Sequence, residues 1–381
     1  MDAADTVEVT VAVENRRPDR EPWVFETQPD PSQLALWAGP ASAKVGDTLR
    51  LHLQLLAPPA TVRLLRIGAY GGAGARRVAE IVIPDTIRQP ACTPAFPGPV
   101  QCPWTTSGKI PLGPELTGGV YQLVAKDALG RQATYPLVVT SRRPHDLNIV
   151  VPQFTWQAYN TFGGSGFYVT DPSTNRPVPW VSFARPYVES GQAPGGTAEF
   201  ATIAWLERRG VDVGYMSDED LARGTAPLAN KGYIFIGHSE YWSFQMYQRV
   251  QEWRDAGKHL AFLSANNAYW NTRYFPAATD SSATVLYCYK GAGDPLAGTP
   301  QEVTTRFRNA PLNLPENALY GIAFPLRLAP PPSTIDLVVT DEAAASPFTR
   351  DLLAIAGVRP GDSLGISTGS EGDDLLANGK T

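Results

Sequence analysis

The pattern of apolar and polar positions along the chain changes near residue 143. Before that point, TLRLHLQLL (48–56) alternates apolar and polar residues, which is typical of a strand with one buried face. The segment 121–139 predicts two strands around a tight turn at 127–130. Clusters of glycine and proline separate such segments, and the region has no helical period. Residues 1–143 are therefore predicted to form an immunoglobulin-like β-sandwich.

From residue 144 onward, buried strands alternate with helices. The run LNIVV (147–151) is typical of a strand that is covered on both faces. This alternation predicts a parallel sheet in an α/β domain that spans residues 144–381. The further predicted strands are 211–216, 233–237 and 259–265, and the predicted helices are about 197–209, 217–224 and 242–257.

The last part of the α/β domain is less regular. IDLVV (335–339) predicts one more strand. The polar end GSEGDDLLANGKT is expected to be either a truncation of the domain or a frayed tail.

The composition of the chain argues against several classes of binding partner. The chain has 381 residues, a net charge of -5 and 18% charged residues, without a long basic run, so nucleic acid and anionic membranes are not expected partners. No apolar stretch approaches the length of a membrane span. The start MDAADTVEVTV has no hydrophobic signal core, so the chain as given is expected to carry no export signal.

The three cysteines leave two alternatives open for the compartment. Cys92 and Cys102 bracket a proline-rich loop, and this spacing allows either a disulfide or two reduced thiols. A disulfide implies an exported or periplasmic protein, whereas reduced thiols imply a cytoplasmic one. Cys288, in VLYCYK, is expected to be a small buried hydrophobic residue. The chain has no CxxC pair, which argues against a structural zinc site.

Candidate functional residues follow the predicted parallel strands. Ligands of such sheets bind beyond the carboxyl ends of the strands, where the loops meet at one edge. Trp156 and Tyr159 follow the first strand, His238 and Glu240 follow the third, and Asn266 follows the fourth. We therefore expect these side chains to lie near one another.

Three interpretations of the GHSEYW loop remain open. Ser239 lies at a strand-to-helix turn, as a nucleophilic serine would, but Tyr241 stands where the G-x-S-x-G pattern requires glycine. Alternatively, Glu240 and the Tyr159 phenolate supply oxygen ligands that suit a hard ion such as ferric iron. In the third interpretation these residues only pack or cap a helix.

Four longer segments resemble the large subunit of N,N-dimethylformamidase and its relatives, over roughly residues 105–370. The resemblance implies a β-sandwich joined to a glutamine-amidotransferase-like (flavodoxin-like) α/β domain. It also implies a mononuclear Fe³⁺ ion, held by two tyrosines and one glutamate, that hydrolyses an amide. The segments are VPQFTWQAYNTFGGSGFY, GHSEYWS, KHLAFLSANNAYW and RFRNAPLNLPENALYG.

The resemblance assigns roles residue by residue. The metal ligands it implies are Glu240 of GHSEYW, Tyr159 of WQAYN and Tyr121 of GGVYQL. His238 and Asn266 match groups beside the bound water and substrate. Two features depart from the family: Ser239 stands where relatives often carry aspartate, and the N-terminal region is much shorter.

The leading hypothesis is an iron-dependent hydrolase of the C–N bond of a small, linear, non-peptide amide. His238 would act as an acid–base group, and Asn266 would bind substrate or water. Trp156 and Phe162 would line the substrate pocket. The alternatives are a non-catalytic ligand- or carbohydrate-binding module and a metal-independent hydrolase that uses Ser239. The family analogy favours a homo-oligomer, and nothing in the sequence identifies a small partner subunit.

Overall fold

β-Strands account for most of the regular structure, and helices are few among the residues that are described. The structure is a computed structural model, and it divides into two compact units, residues 1–315 and 316–381. The β-rich character agrees with the many short strands that the sequence predicts. The described residues are 8–23, 29–188, 197–276, 284–321, 323–327, 335–346, 349–350, 353–354, 357–366 and 371–374.

The N-terminal β region, residues 8–140, consists mainly of antiparallel strands after a short helix, α1 (Val11–Glu14). Its strands are β1 (Arg20–Glu21), β2 (Leu34–Gly39), β3 (Ser42–Lys44), β4 (Thr48–Leu55), β5 (Ala60–Ile67), β6 (Ala75–Ile83), β7 (Gly108–Pro111), β8 (Gly119–Lys126) and β9 (Gln132–Thr140). One sheet has the order β1-β6-β5-β8-β9-β3, and another has the order β2-β4-β7. β8 and β9 form the predicted hairpin, which is thereby confirmed.

The part of the first unit that follows contains a parallel sheet. Its strands are β10 (Leu147–Val151), β11 (Thr170–Asp171), β12 (Arg176–Pro177), β13 (Trp180–Ser182), β14 (Val213–Ser217), β15 (Gly232–His238), β16 (Tyr241–Trp242), β17 (His259–Ala265), β18 (Trp270–Asn271), β19 (Arg273–Phe275) and β20 (Val285–Tyr287). The parallel sheet has the order β14-β10-β15-β17. All four of its strands were predicted from apolar runs, and these predictions are confirmed.

Helices of the first unit lie between these strands. They are α2 (Gln153–Tyr159), α3 (Thr197–Arg208), α4 (Asp218–Arg223) and α5 (Phe244–Asp255). The last three confirm the predicted helices. The Ser217 side chain accepts a hydrogen bond from the Asp220 amide at the start of α4, and Gly224 ends that helix in a left-handed conformation. The sequence did not predict α2, because it is only seven residues long and Pro152 precedes it without a capping side chain.

A continuous hydrophobic core joins the two parts of the first unit. It includes Tyr121 and Leu123 of β8 together with Ile149 of β10 and Ile234 of β15. Residues on both sides of position 143 therefore stabilise each other by burying the same apolar surface. The proposed division into domains 1–143 and 144–381 stays a prediction.

A buried ion pair also crosses from the N-terminal β region to α3. The Arg66 guanidinium of β5 lies 2.8 Å from the Glu207 carboxylate, and both side chains are fully buried. The Tyr215 hydroxyl donates a second hydrogen bond to the same carboxylate oxygen, at 2.6 Å. Burial lowers the pKa of Arg66, but Glu207, Tyr70 and Tyr215 together raise that pKa well above its usual value. Arg66 therefore stays charged in the fold.

The loop between Cys92 and Cys102 is closed by a disulfide, with a Cα–Cα distance of 4.1 Å. The disulfide is the first of the two alternatives that the spacing allowed. Cys288 is completely buried, as expected, and burial raises the pKa of its thiol to about 12.

The second unit, described by itself, contains two small antiparallel pairs. Its elements are the helices α6 (Asn317–Tyr320) and α7 (Asp341–Ala345) and the strands β21 (Ala323–Arg327), β22 (Ile335–Val338), β23 (Ser363–Ile366) and β24 (Glu371–Asp374). β21 pairs with β24, and β22 pairs with β23. The strand predicted at 335–339 is confirmed as β22. Part of the polar end forms β24, whereas 369–370 and 375–381 lie outside the described residues.

Within the described ranges, no helix combines the length and the apolar character that crossing a membrane requires.

Removing one partner of the Arg66–Glu207 pair should destabilise the fold. We expect Glu207→Leu to lower the free energy of unfolding by roughly 3 kcal/mol, because Arg66 would keep a buried charge without its nearest carboxylate. Urea unfolding of the purified protein measures this loss. The control is the double variant Arg66→Met/Glu207→Leu, which should recover much of the stability; equal losses in the single and double variants would contradict the role of the charge.

Candidate functional site

The candidate site lies at the carboxyl edge of the parallel sheet, where the loops after β10 and β15 meet. Glu240 is two residues beyond the end of β15, and its side chain is almost fully buried. Its backbone amide donates a hydrogen bond of 3.0 Å to the Thr155 hydroxyl of α2. The Tyr241 amide donates to the same hydroxyl at 3.3 Å. Thr155 thus fixes the loop of Glu240 against the helix that carries Tyr159.

Each oxygen of the Glu240 carboxylate accepts one phenolic hydrogen bond. The Tyr159 hydroxyl donates to Oε2 at 2.7 Å. The Tyr168 hydroxyl donates to Oε1 at 2.6 Å. The centroids of the two tyrosine rings are 4.8 Å apart, so three oxygen-bearing side chains converge on one point.

Both phenols keep their protons in this arrangement. Burial raises the pKa of Tyr159 and of Tyr168, and the Glu240 carboxylate raises both further, since a phenolate beside a carboxylate would be repelled. The same two hydroxyls offset the cost of burying the carboxylate by donating to it.

His238 lies on the same side of the cluster as Tyr159. Its Nε2 atom is 3.5 Å from Oε2 of Glu240, and its ring centroid is 5.3 Å from that of Tyr159. The preceding residue, Gly237, has a φ of +68°, and a Cβ there would come within 2.3 Å of the Glu199 carboxylate. Position 237 therefore requires glycine, and this left-handed residue stands directly before His238 near the end of β15.

The loop after β17 runs alongside Glu240. The Tyr269 and Trp270 amides donate to the Glu240 carbonyl at 3.1 and 3.0 Å, and the Ala268 amide donates to the Ser239 carbonyl at 3.1 Å. Asn266 lies in this loop with a φ of 50°, a conformation that asparagine tolerates better than most residues. The expected convergence of the three strand-end loops is therefore present in the backbone.

Tyr121 lies elsewhere. It is fully buried in β8, and its hydroxyl donates to the Thr117 carbonyl at 2.6 Å. Its charged neighbours include Arg66, Glu14 and Arg76 of the N-terminal β region. The structure thus does not bring Tyr121 to Glu240, and its assignment as a metal ligand stays a prediction.

The two predicted pocket residues lie in separate hydrophobic clusters. Trp156 is buried in the main core with Phe200. Phe162 packs with Val100 and Trp104 in a second cluster beside the disulfide loop. The structure does not bring them together, and their role in lining a pocket stays a prediction.

Two residues of the site were missed by sequence reasoning. Tyr168 takes the position at Glu240 that the resemblance gave to Tyr121; its signal was a second tyrosine nine residues after Tyr159, in the same segment. Lys290 lies with its Nζ atom 3.6 Å from the centroid of the Tyr168 ring. No motif marks Lys290, because its place depends on the short strand β20.

Arg185 holds the loop that leaves α2 toward Tyr168. It is fully buried, and all of its hydrogen bonds go to backbone carbonyls rather than to a carboxylate. Burial lowers the pKa of its guanidinium to about 10. The positive charge faces the C-terminal end of α2, where unpaired carbonyls accumulate. The acceptors are the carbonyls of Gln157, Asn160, Phe162, Ser165 and Ser182, at 2.8–3.1 Å.

The disulfide loop also supports this segment. Gly163 has a φ of +69°, and a Cβ there would lie 2.8 Å from the Val100 side chain. The Cys102 amide donates to the Ala184 carbonyl at 2.8 Å, and the Trp180 indole donates to the Ala95 carbonyl at 3.1 Å. The N-terminal β region therefore contributes directly to the support of the candidate site.

Replacing Arg185 should loosen this segment. We expect Arg185→Met to lower the free energy of unfolding by roughly 3 kcal/mol or more, because five buried carbonyls would lose their donor. Arg185→Lys should recover part of the loss, since an ammonium supplies three donors in place of five. Denaturant unfolding measures both variants, with the surface variant Arg254→Met as the control. A loss of unfolding free energy below about 1 kcal/mol in Arg185→Met would contradict the proposed role of Arg185 in holding the loop.

Comparison with known proteins gives one family. Among curated proteins, none matches the chain. A solved structure of a Paenibacillus sp. cycloisomaltooligosaccharide glucanotransferase, complexed with cycloisomaltoheptaose, is 8% identical with a TM-score of 0.20. The match covers 69% of this chain and 34% of that one, so this chain spans about a third of its length, and a likeness this weak carries no argument.

The family described as N,N-dimethylformamidase beta subunit-like, C-terminal, matches residues 61–380. This match covers most of the chain and includes Tyr159, Tyr168, Glu240 and Lys290. The resemblance found in the sequence is thereby confirmed, and the chain belongs to the N,N-dimethylformamidase beta subunit-like family.

Proposed function

We propose that this protein is an iron-dependent hydrolase that cleaves the C–N bond of a small linear amide. The observation that carries the proposal is the Glu240 carboxylate held between the Tyr159 and Tyr168 hydroxyls at 2.7 and 2.6 Å. Family membership supports a hydrolase of the dimethylformamidase type.

The donor set fits a hard trivalent ion. Within the described residues, no group of three or more histidine, cysteine, aspartate or glutamate side chains could hold a metal. The cluster of Tyr159, Tyr168 and Glu240 instead offers only oxygen donors, which favours Fe³⁺ over zinc. Binding would require both phenols to lose their protons, as a bound cation promotes. Tyr168 is our proposed third ligand, in the place that the sequence assigned to Tyr121.

When bound there, the ion would supply Lewis-acid activation of the amide carbonyl or of water. The chain supplies the remaining functions. His238, 3.5 Å from Glu240, is placed to hold a proton next to that carboxylate. Asn266, in the loop that follows β17, is our candidate for binding the substrate or water.

The geometry argues against the serine hydrolase alternative. The Ser239 hydroxyl is buried and accepts a hydrogen bond of 2.8 Å from the Trp242 indole. His238, the nearest base in sequence, faces Glu240 instead. A nucleophilic serine needs its base within hydrogen-bond reach, which this arrangement does not provide.

For the architecture, we propose an immunoglobulin-like sandwich followed by a flavodoxin-like domain. The parallel sheet supports the second part: in chain order its strands lie as second, first, third and fourth, as at the start of a flavodoxin-like sheet. Assembly into a homo-oligomer is also a proposal, supported only by the family analogy.

Metal content and colour test the ligand set. We expect the purified protein supplied with iron to hold one ion per chain and to absorb visible light through tyrosinate bound to Fe³⁺. Tyr159→Phe and Tyr168→Phe should each lose iron and colour, because each removes an oxygen ligand while keeping the ring. The matched control is Tyr121→Phe, which should keep both.

Iron retained in Tyr168→Phe and lost in Tyr121→Phe would return Tyr121 to the ligand set and refute Tyr168. A wild-type protein that takes up no iron and hydrolyses no amide would refute the proposed enzyme and favour the binding-module alternative. Ser239→Ala should leave amide hydrolysis in place, because the proposed chemistry does not use that hydroxyl.

A further inference from the structure

Lys290 places a positive charge next to the candidate site. Its Nζ atom lies 3.6 Å from the centroid of the Tyr168 ring and 5.3 Å from that of Trp270. Tyr168 in turn donates to Glu240, so only the tyrosine ring separates the ammonium from the proposed reaction centre. Within the described residues, no carboxylate lies within ion-pair distance of Lys290.

Arg306 places a second positive charge on the same aromatic wall. Its guanidinium carbon lies 5.4 Å from the Trp270 ring centroid and 5.0 Å from that of Tyr269. A backbone bridge between Trp270 and Arg306 fixes the position of the arginine. Its side chain is exposed, and among the described residues it too has no acidic partner.

This arrangement differs from that of two buried arginines elsewhere in the first unit, whereas the buried Arg185 is held by backbone carbonyls alone. Arg66 and Arg273 each face a carboxylate, Glu207 or Asp294, at 2.8 Å. Lys290 and Arg306 both lie within 5.4 Å of the Trp270 ring centroid, so their like charges repel one another. An anion between them would remove this repulsion, in a chain whose overall net charge is -5.

We infer that Lys290 and Arg306, which both lie against the Trp270 ring, form a subsite for the carboxylate of the substrate. The substrate class is then a small amide that also carries a carboxylate, as an N-acyl amino acid does. Lys290 and the guanidinium bind the carboxylate, and the aromatic faces of Trp270 and Tyr168 contact the carbon chain. This inference rests on the proposed function, since it uses the Glu240 cluster as the place of the scissile amide.

Binding of a matched pair of compounds tests the subsite. The probes are N-acetylglycinate and the neutral N-acetylglycinamide, titrated calorimetrically into the protein at two salt concentrations. The acid should bind about tenfold more tightly than the amide at low salt, and added salt should reduce the difference, because exposed charges are screened. Arg306→Gln and Lys290→Met should each remove about tenfold of the affinity for the acid and leave that for the amide nearly unchanged.

The control variant is Arg254→Gln, whose arginine is also on the surface but pairs with Asp255. It should bind both probes as the wild type does. Because Arg306 is exposed, Arg306→Gln should fold normally and decides the test even if Lys290→Met does not fold. Equal binding of the acid and the amide, or equal effects of Arg306→Gln and Arg254→Gln, would overturn the subsite.

Turnover separates this inference from the proposed function. If the protein binds the acid more tightly than the amide but the iron-loaded protein hydrolyses no amide, the result would support the subsite and refute the hydrolase. Hydrolysis of neutral amides and N-acyl amino acids with equal kcat/KM would support the hydrolase and refute the subsite.

Discussion

The burial of one carboxylate, that of Glu240, determines how the rest of the site is built. A carboxylate removed from water is unfavourable unless several donors replace its hydration. Here two phenols supply those donors, one to each oxygen. The phenols must be delivered by the loop after β10, which therefore has to be rigid. Arg185 and the disulfide loop both meet that requirement by contacts with this segment.

Much of the fold could be predicted because it follows from local pattern. The apolar runs at β10, β15 and β17 identified a parallel sheet, and the topology of such a sheet placed Tyr159 and Glu240 at one edge before any contact was known. Helix α2 was missed because its apolar residues lack a helical start signal. Its stability comes from packing and from the Arg185 guanidinium, and neither is visible in a local segment.

The choice between Tyr121 and Tyr168 shows where sequence reasoning ends. Both are tyrosines in glycine-rich segments, and only the partner of each hydroxyl distinguishes them: a main-chain carbonyl for Tyr121 and the Glu240 carboxylate for Tyr168. Such partners are decided by contacts between residues distant in the chain. Lys290 and Arg306 were invisible for the same reason, since their common neighbour is the ring of Trp270.

The contact of Val100 with Gly163 has a consequence for how proteins of this kind can be recombined. The disulfide loop belongs, by sequence, to the N-terminal β region, although it contacts residues 157–185 in the part of the chain that follows. A chimera joined near residue 143 would pair a foreign loop with the native segment, and the complementarity at Gly163 would be lost. The part of the chain that has to be exchanged is therefore discontinuous in sequence. Residues 92–102 have to be exchanged together with residues 157–185.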